Sequence, residues 1–212
     1  MKPLFFCGII FILASGCEKN NNTGTSSGTD IFPNKIGDTW VYLVNDTTFI
    51  RSNHQDFTVD QYHVTVSVVD SVQLADGTKA NTWIFNYPQR ADTNYVFQKG
   101  DTIRFIDVNQ TIYAVYARQY VIPMVLHDSW KYTVPGFQNV TVDRQSNLII
   151  GQNHFDNAFH IFGTGGMPDA SFMIDEWFEN NVGVVKRYIN PSGELIDTIH
   201  ITSWSLVNYN LR

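Results

Sequence analysis

The feature that most constrains this chain is a two-residue rhythm. Tyr62, Val64, Val66 and Val68 alternate with His63, Thr65 and Ser67, the pattern of a strand with one face buried. Asp76-Gly77 marks a turn before residues 79–87, where Trp83, Phe85 and Tyr87 share a face. Segments 95–98 and 102–108 flank Lys99-Gly100-Asp101, a hairpin signal, and 111–118 and 130–134 continue the series. Segments 184–189 and 194–202 surround Asn190-Pro191-Ser192-Gly193, the strongest hairpin signal in the chain, and 205–211 closes it. No stretch after residue 30 carries an extended helical period with caps, so at most one or two short helical turns are expected. Composition agrees: Val, Ile and Thr number 57 of the 212 residues, against 25 for Leu, Ala, Met and Glu together, which excludes a helical bundle. With 43% hydrophobic residues and only 16% charged, the chain is also no disordered tail.

The first residues follow another rule. Met1-Lys2-Pro3 precedes an apolar run over residues 4–13 and then Ala14-Ser15-Gly16-Cys17, a secretory signal too short to be an ordinary spanning helix. The tetrapeptide resembles a bacterial lipobox, although Ala14 stands three before the cysteine where Leu is commonest. The resemblance implies residues 1–16 as a lipoprotein signal peptide, Cys17 as the lipidated N-terminus, and palmitate among its acyl groups. Cys7 leaves with the signal, so the mature chain has no partner for a disulfide. Multiple acylation implies a lasting membrane anchor. Glu18 follows the cysteine where Asp favours inner-membrane retention, so the resemblance implies the outer membrane, on its periplasmic or its cell-surface face. Residues 19–29 contain no apolar side chain, and 17–30 read as a lipidated Cys with a flexible tether. Its reach is about 20 Å root-mean-square. The mature chain keeps thirteen basic and twenty acidic side chains, a net charge of −7, which argues against nucleic acid as a partner.

Residues 31–212 read as a single β domain with an internal duplication. FPNKIGDTWVYLV at 32–44 matches IPMVLHDSWKYTV at 122–134 without a gap, with five identities and three conservative pairs. Pro gives an extended approach, Asp38 or Asp128 with the following hydroxyl residue makes a side-chain-bonded turn, and Trp opens a strand. The units are taken as 31–120 and 121–212.

Three segments, FPNKIGDTWVY at 32–42, IIGQNHFDNAFHI at 149–161 and EWFENNVGVVKRY at 176–188, resemble recurrent stretches of secreted lipoproteins common in Bacteroidota, of the form PLKVGxxW, GxFxNAxxI and WYAxGVGxVK. About 40 residues carry the likeness directly. It implies no activity and no catalytic residues. It does imply a curved antiparallel sheet or half-barrel like that of lipoprotein carriers. Gly151 departs from the commoner placing, because Gln152-Asn153-His154 separate it from Phe155.

Candidate chemistry is sparse. None of the six histidines falls in a known ligand spacing. His154 and His160 would lie about 20 Å apart on a strand, too far to share a metal, and the histidines read as solvated or strand-surface residues. No metal and no cofactor are expected. Asp175 and Glu176 beside Trp177 and Phe178 could pass for a glycosidase pair, but adjacent strand residues point to opposite faces. Gly163-Thr164-Gly165-Gly166 reads as a flexible loop, because no helix follows it to present amides to a phosphate. Aromatics are the abundant resource: 5 Trp, 10 Tyr and 15 Phe. Tyr113, Tyr116, Tyr120, Trp177 and Phe178 are the candidate ligand-binding residues. The expectation is a non-catalytic binding or structural envelope domain that meets the membrane through its lipid and pairs with an envelope protein, a lipid or a glycan. The alternatives are a carrier of a lipid or apolar ligand and a glycan-binding or glycan-active surface protein.

Overall fold

The computed structural model describes residues 32–50, 53–108, 118–131, 137–167, 170–192 and 198–212. The signal, the tether, Cys17, Tyr113 and Tyr116 lie outside the described residues. Twelve strands form one sheet: β1 (Thr39–Ile50), β2 (Asn53–Gln73), β3 (Lys79–Asn86), β4 (Ala91–Lys99), β5 (Thr102–Asp107), β6 (Arg118–Val121), β7 (Ser129–Trp130), β8 (Phe137–Ile150), β9 (Asn153–Met167), β10 (Ala170–Glu179), β11 (Gly183–Ser192) and β12 (Thr198–Asn210). Their order is β6-β5-β4-β3-β2-β1-β12-β11-β10-β9-β8-β7, and every neighbouring pair is antiparallel.

This order dictates curvature. The strands at the two ends of the sheet, β6 and β7, follow each other in the chain, so the sheet curls until its ends meet. Trp130 Nε1 donates to the Gln119 carbonyl at 3.0 Å, and Gln119 Nε2 donates to the Lys131 carbonyl at 3.0 Å. Side chains thus bridge a seam where no strand ladder forms among the described residues. The result is the expected all-β, antiparallel, curved architecture, here a nearly closed barrel.

Alternation decides which side chains enter it. Trp40, Tyr42 and Val44 of β1 and Val64, Val66 and Val68 of β2 are buried on one face, as their two-residue spacing requires. Aromatic rings fill the interior. Trp40 and Trp83 stack with centroids 4.6 Å apart, and Phe32 stacks on Trp83 at 5.7 Å and on Phe178 at 6.2 Å while meeting Phe105 edge-on. Phe32 belongs to no strand. It enters the barrel just before β1, and Asn34 holds it there by accepting from Trp83 Nε1 at 2.7 Å.

The two matching sequence segments carry the same hydrogen bonds. Asp38 Oδ2 accepts from the Lys35 amide at 2.7 Å, and Asp128 Oδ2 accepts from the Val125 amide at 3.0 Å. Gly37 N donates to Val68 O and His127 N to Val142 O, both at 2.8 Å. Each turn needs a left-handed residue, Gly37 at φ 98° and His127 at φ 73°. Only the first copy uses the residue that adopts this conformation without steric cost.

Several expectations need correction. Gly163, Thr164, Gly165 and Gly166 are not a loop: they belong to β9, where the first three pair with both β8 and β10 and Gly166 pairs with β10. Two ladders satisfy their backbone groups and hold a glycine-rich stretch extended despite its poor strand propensity. Segments 194–202 and 205–211 are not separate strands, because β12 runs unbroken from Thr198 to Asn210. Of segment 130–134 only Trp130 is strand among the described residues, and most of 111–118 lies outside them.

Candidate ligand-binding pocket

Two charged residues interrupt the apolar face. On β10 the inward series is Ile174, Glu176, Phe178, and on β11 it is Val185 followed by Arg187. Glu176 is fully buried, and Arg187 lies directly opposite it across the ladder. Their charges meet at 2.7 Å, Arg187 Nε to Glu176 Oε1, and the Tyr120 hydroxyl donates to Glu176 Oε2 at 2.6 Å. Tyr120, itself fully buried on β6, therefore ties one edge strand of the sheet to the middle of the other half. A carboxylate this deep is tolerated only with a charged partner and further hydrogen bonds, and it has both.

Above this pair the interior opens. Trp40, Tyr42, Trp83, Phe105, Val184 and Trp204 line an apolar pocket together with Arg187. Tyr42 and Tyr87 both meet the Trp204 ring edge-on, at 5.6 and 5.9 Å, and fix its orientation at the mouth. The space open to water inside is about 40 Å³. A buried water needs roughly 10–15 Å³ by this measure, so there is room for about three waters. Apolar walls with a single convergent charge are the usual make-up of a small-molecule site.

The five aromatics singled out from the sequence do not converge. Phe178 is buried in the core between Phe32 and Tyr120, and Tyr120 sits beneath the pocket rather than on its wall. Trp177 points to the opposite face of β10. There it packs on His160 at 4.6 Å, with the Arg144 guanidinium 4.9 Å from its ring centre. A sugar-stacking platform needs an open ring face, and these two neighbours compete for the faces of Trp177. Asp175 and Glu176 also face opposite ways, which removes them as a hydrolase pair.

His160 contradicts the expectation of a solvated histidine. It is only 3% exposed, with Nδ1 at 2.5 Å from Asp143 Oδ1 and Nε2 at 2.7 Å from Asp175 Oδ1. Both ring nitrogens are thus engaged by carboxylate oxygens. Neither nitrogen is left for a metal, and among the described residues no cluster of His, Cys, Asp and Glu could hold one. His63, His127, His154 and His200 are exposed, as expected. Elsewhere, burial pushes the Glu179 carboxyl above the usual glutamate range, with nearby Asp156 adding to the effect.

The residues missed from the sequence are Trp40, Trp83, Phe105, Arg187 and Trp204. A signal existed for Arg187: on consecutive strands joined by a tight turn, one acidic and one basic residue each occupy the apolar phase. Trp204 gave none, since its inward direction depends on the unbroken register of β12.

No protein-family model matches this chain, and no curated protein is similar to it. Among solved structures, a LolA superfamily protein from Nitrosomonas europaea aligns over 86% of this chain and 89% of its own length, with 11% identity and a TM-score of 0.24. A superposition that loose carries no argument about ligand or activity.

Proposed function

We propose that this chain is a lipid-anchored, non-catalytic domain of the outer membrane, and that its barrel interior holds a small apolar ligand beside Trp204. The observation that carries the binding half of this reading is the aromatic pocket itself, open to water yet lined on nearly every side by rings and aliphatic groups. Lipid anchoring rests on Ala14-Ser15-Gly16-Cys17 and the polar tether behind it. A carrier of long acyl chains fits less well. Phe32, Trp83 and Phe178 already occupy the interior that such chains would need.

Native mass spectrometry of the protein purified from its own envelope tests the binding reading. The expected spectrum shows a non-covalent adduct of small mass, absent from the Val184→Trp variant, whose indole fills the mouth. Identical spectra of the bare lipoprotein for both would refute it.

A further inference from the structure

The two repeated turns and the entry of the chain share one end of the barrel. Neighbouring strands alternate in direction, so the end where β1 begins also holds the β4–β5 and β10–β11 turns, the segment from β6 to β7 and the close of β12. The chain enters there, with Pro33 beside Gly183 at the start of β11 and the Asn34 carbonyl accepting from Asn81 Nδ2 on β3. The Gly37 turn hangs from the Val68 carbonyl on β2, and the His127 turn from the Val142 carbonyl on β8. In the sheet order β1 is sixth and β7 twelfth. Curling the sheet until β6 meets β7 therefore sets the two turns on opposite sides of the rim.

Both turns present apolar side chains to solvent. Ile36 is 53% exposed, Val125 55% and Leu126 40%. Of the ten large hydrophobics exposed among the described residues, these three and Val69, Ile149 and Val207 lie at this end. Exposed hydrophobics scattered singly need no explanation, but a concentration at one end of a molecule does. Ile50, Phe57 and Val59, near the tip of the β1–β2 hairpin, form the competing patch. That tip is the length of twelve-residue β1 away from the entry, about 36 Å, which exceeds the tether's reach of about 20 Å. Resting on the lipid anchor proposed above, we infer that the barrel stands end-on on the bilayer that anchors it, with Ile36 on one side of the rim and Val125 and Leu126 on the other, inserted at the boundary between headgroups and acyl chains. The chain's net negative charge gives anionic lipid no hold on it, so burial of these side chains holds the rim down.

Depth-dependent quenching tests this. The full-length lipoprotein is reconstituted into phosphatidylcholine vesicles and its association is checked by flotation. With Cys7 removed in the signal and Cys17 acylated, one introduced thiol takes an environment-sensitive fluorophore. Ile36→Cys and Leu126→Cys probe the two turns and Phe57→Cys the far hairpin; all three positions are exposed, so their replacement leaves the core intact. The labels at 36 and 126 should shift to the blue and lose about half or more of their emission to lipids carrying a nitroxide high on the acyl chain. The label at 57 should do neither. Protein that floats with all three labels unquenched is anchored without docking, which would overturn the inference and leave the anchor standing. Quenching at 57, or at only one of the two turns, would overturn the end-on orientation. Protein that does not float would overturn the anchor, and the docking with it.

Discussion

Replacing Arg187 with methionine would remove one countercharge from the fully buried carboxylate of Glu176 while keeping its hydrogen bond from the Tyr120 hydroxyl. The two charges stand 2.7 Å apart; at an effective dielectric of roughly 20 that separation corresponds to about 6 kcal/mol of attraction, much of it offset by desolvation. Removing one partner of a buried pair typically costs about 3–5 kcal/mol, because the other charge stays behind. In a chain of this size each kcal/mol lowers Tm by roughly 2–4 °C, so Arg187→Met should lose on the order of 6–20 °C. Urea unfolding provides the free energy, read as a lowered midpoint at unchanged slope. The double variant Glu176→Leu with Arg187→Met should recover most of the loss, since well-packed apolar replacements of buried pairs are often neutral or stabilising. A loss below about 1 kcal/mol for Arg187→Met, the range of exposed pairs, would show that Glu176 reaches water or another partner and would refute the reasoning.

Three further outcomes follow from named residues. Asp38→Ala should cost about 2–3 kcal/mol and Asp128→Ala about 1 kcal/mol by thermal or urea unfolding, because Asp38 is buried and accepts from both the Lys35 and the Arg212 amides, while Asp128 is half-buried and accepts from the Val125 amide; equal costs would count against that difference. Burial raises the folded-state pKa of Glu179 above its unfolded value, so the folded form binds more protons between the two values and stability falls as pH rises through that window. Glu179→Gln should flatten that segment of the stability–pH curve, and an unchanged slope would contradict the assignment. Cys17→Ala should release the exported domain from membranes in a fractionation assay; continued tight membrane association would defeat the anchoring proposal.

The fold was legible where alternation was unbroken. Val64, Val66 and Val68 reach the core in the phase that their spacing sets, and the Gly100 and Gly151 turns fall between paired strands. Legibility failed where ladders overrule local preference. Gly163 and Gly165 have little strand propensity of their own and are extended because β8 and β10 pair with them. His160 looked like a surface histidine because its two aspartates come from different strands, 17 and 15 residues away. The pocket was least legible of all. Its lining comes from β1, β2, β3, β5, β11 and β12, and only the curling that brings β6 to β7 gathers those strands around one space. Choosing aromatics by abundance selected Trp177 and Phe178, neighbours that a strand must send to opposite faces.

The claim that this interior binds a ligand is tested most directly by locating one. With isopropanol near saturation, intermolecular NOEs are expected from its methyl protons to the methyls of Val66 and Val184 and to the Trp204 ring, all of which line the pocket. NOEs to Trp177 on the opposite face instead, or none to any of the three pocket residues, would contradict it.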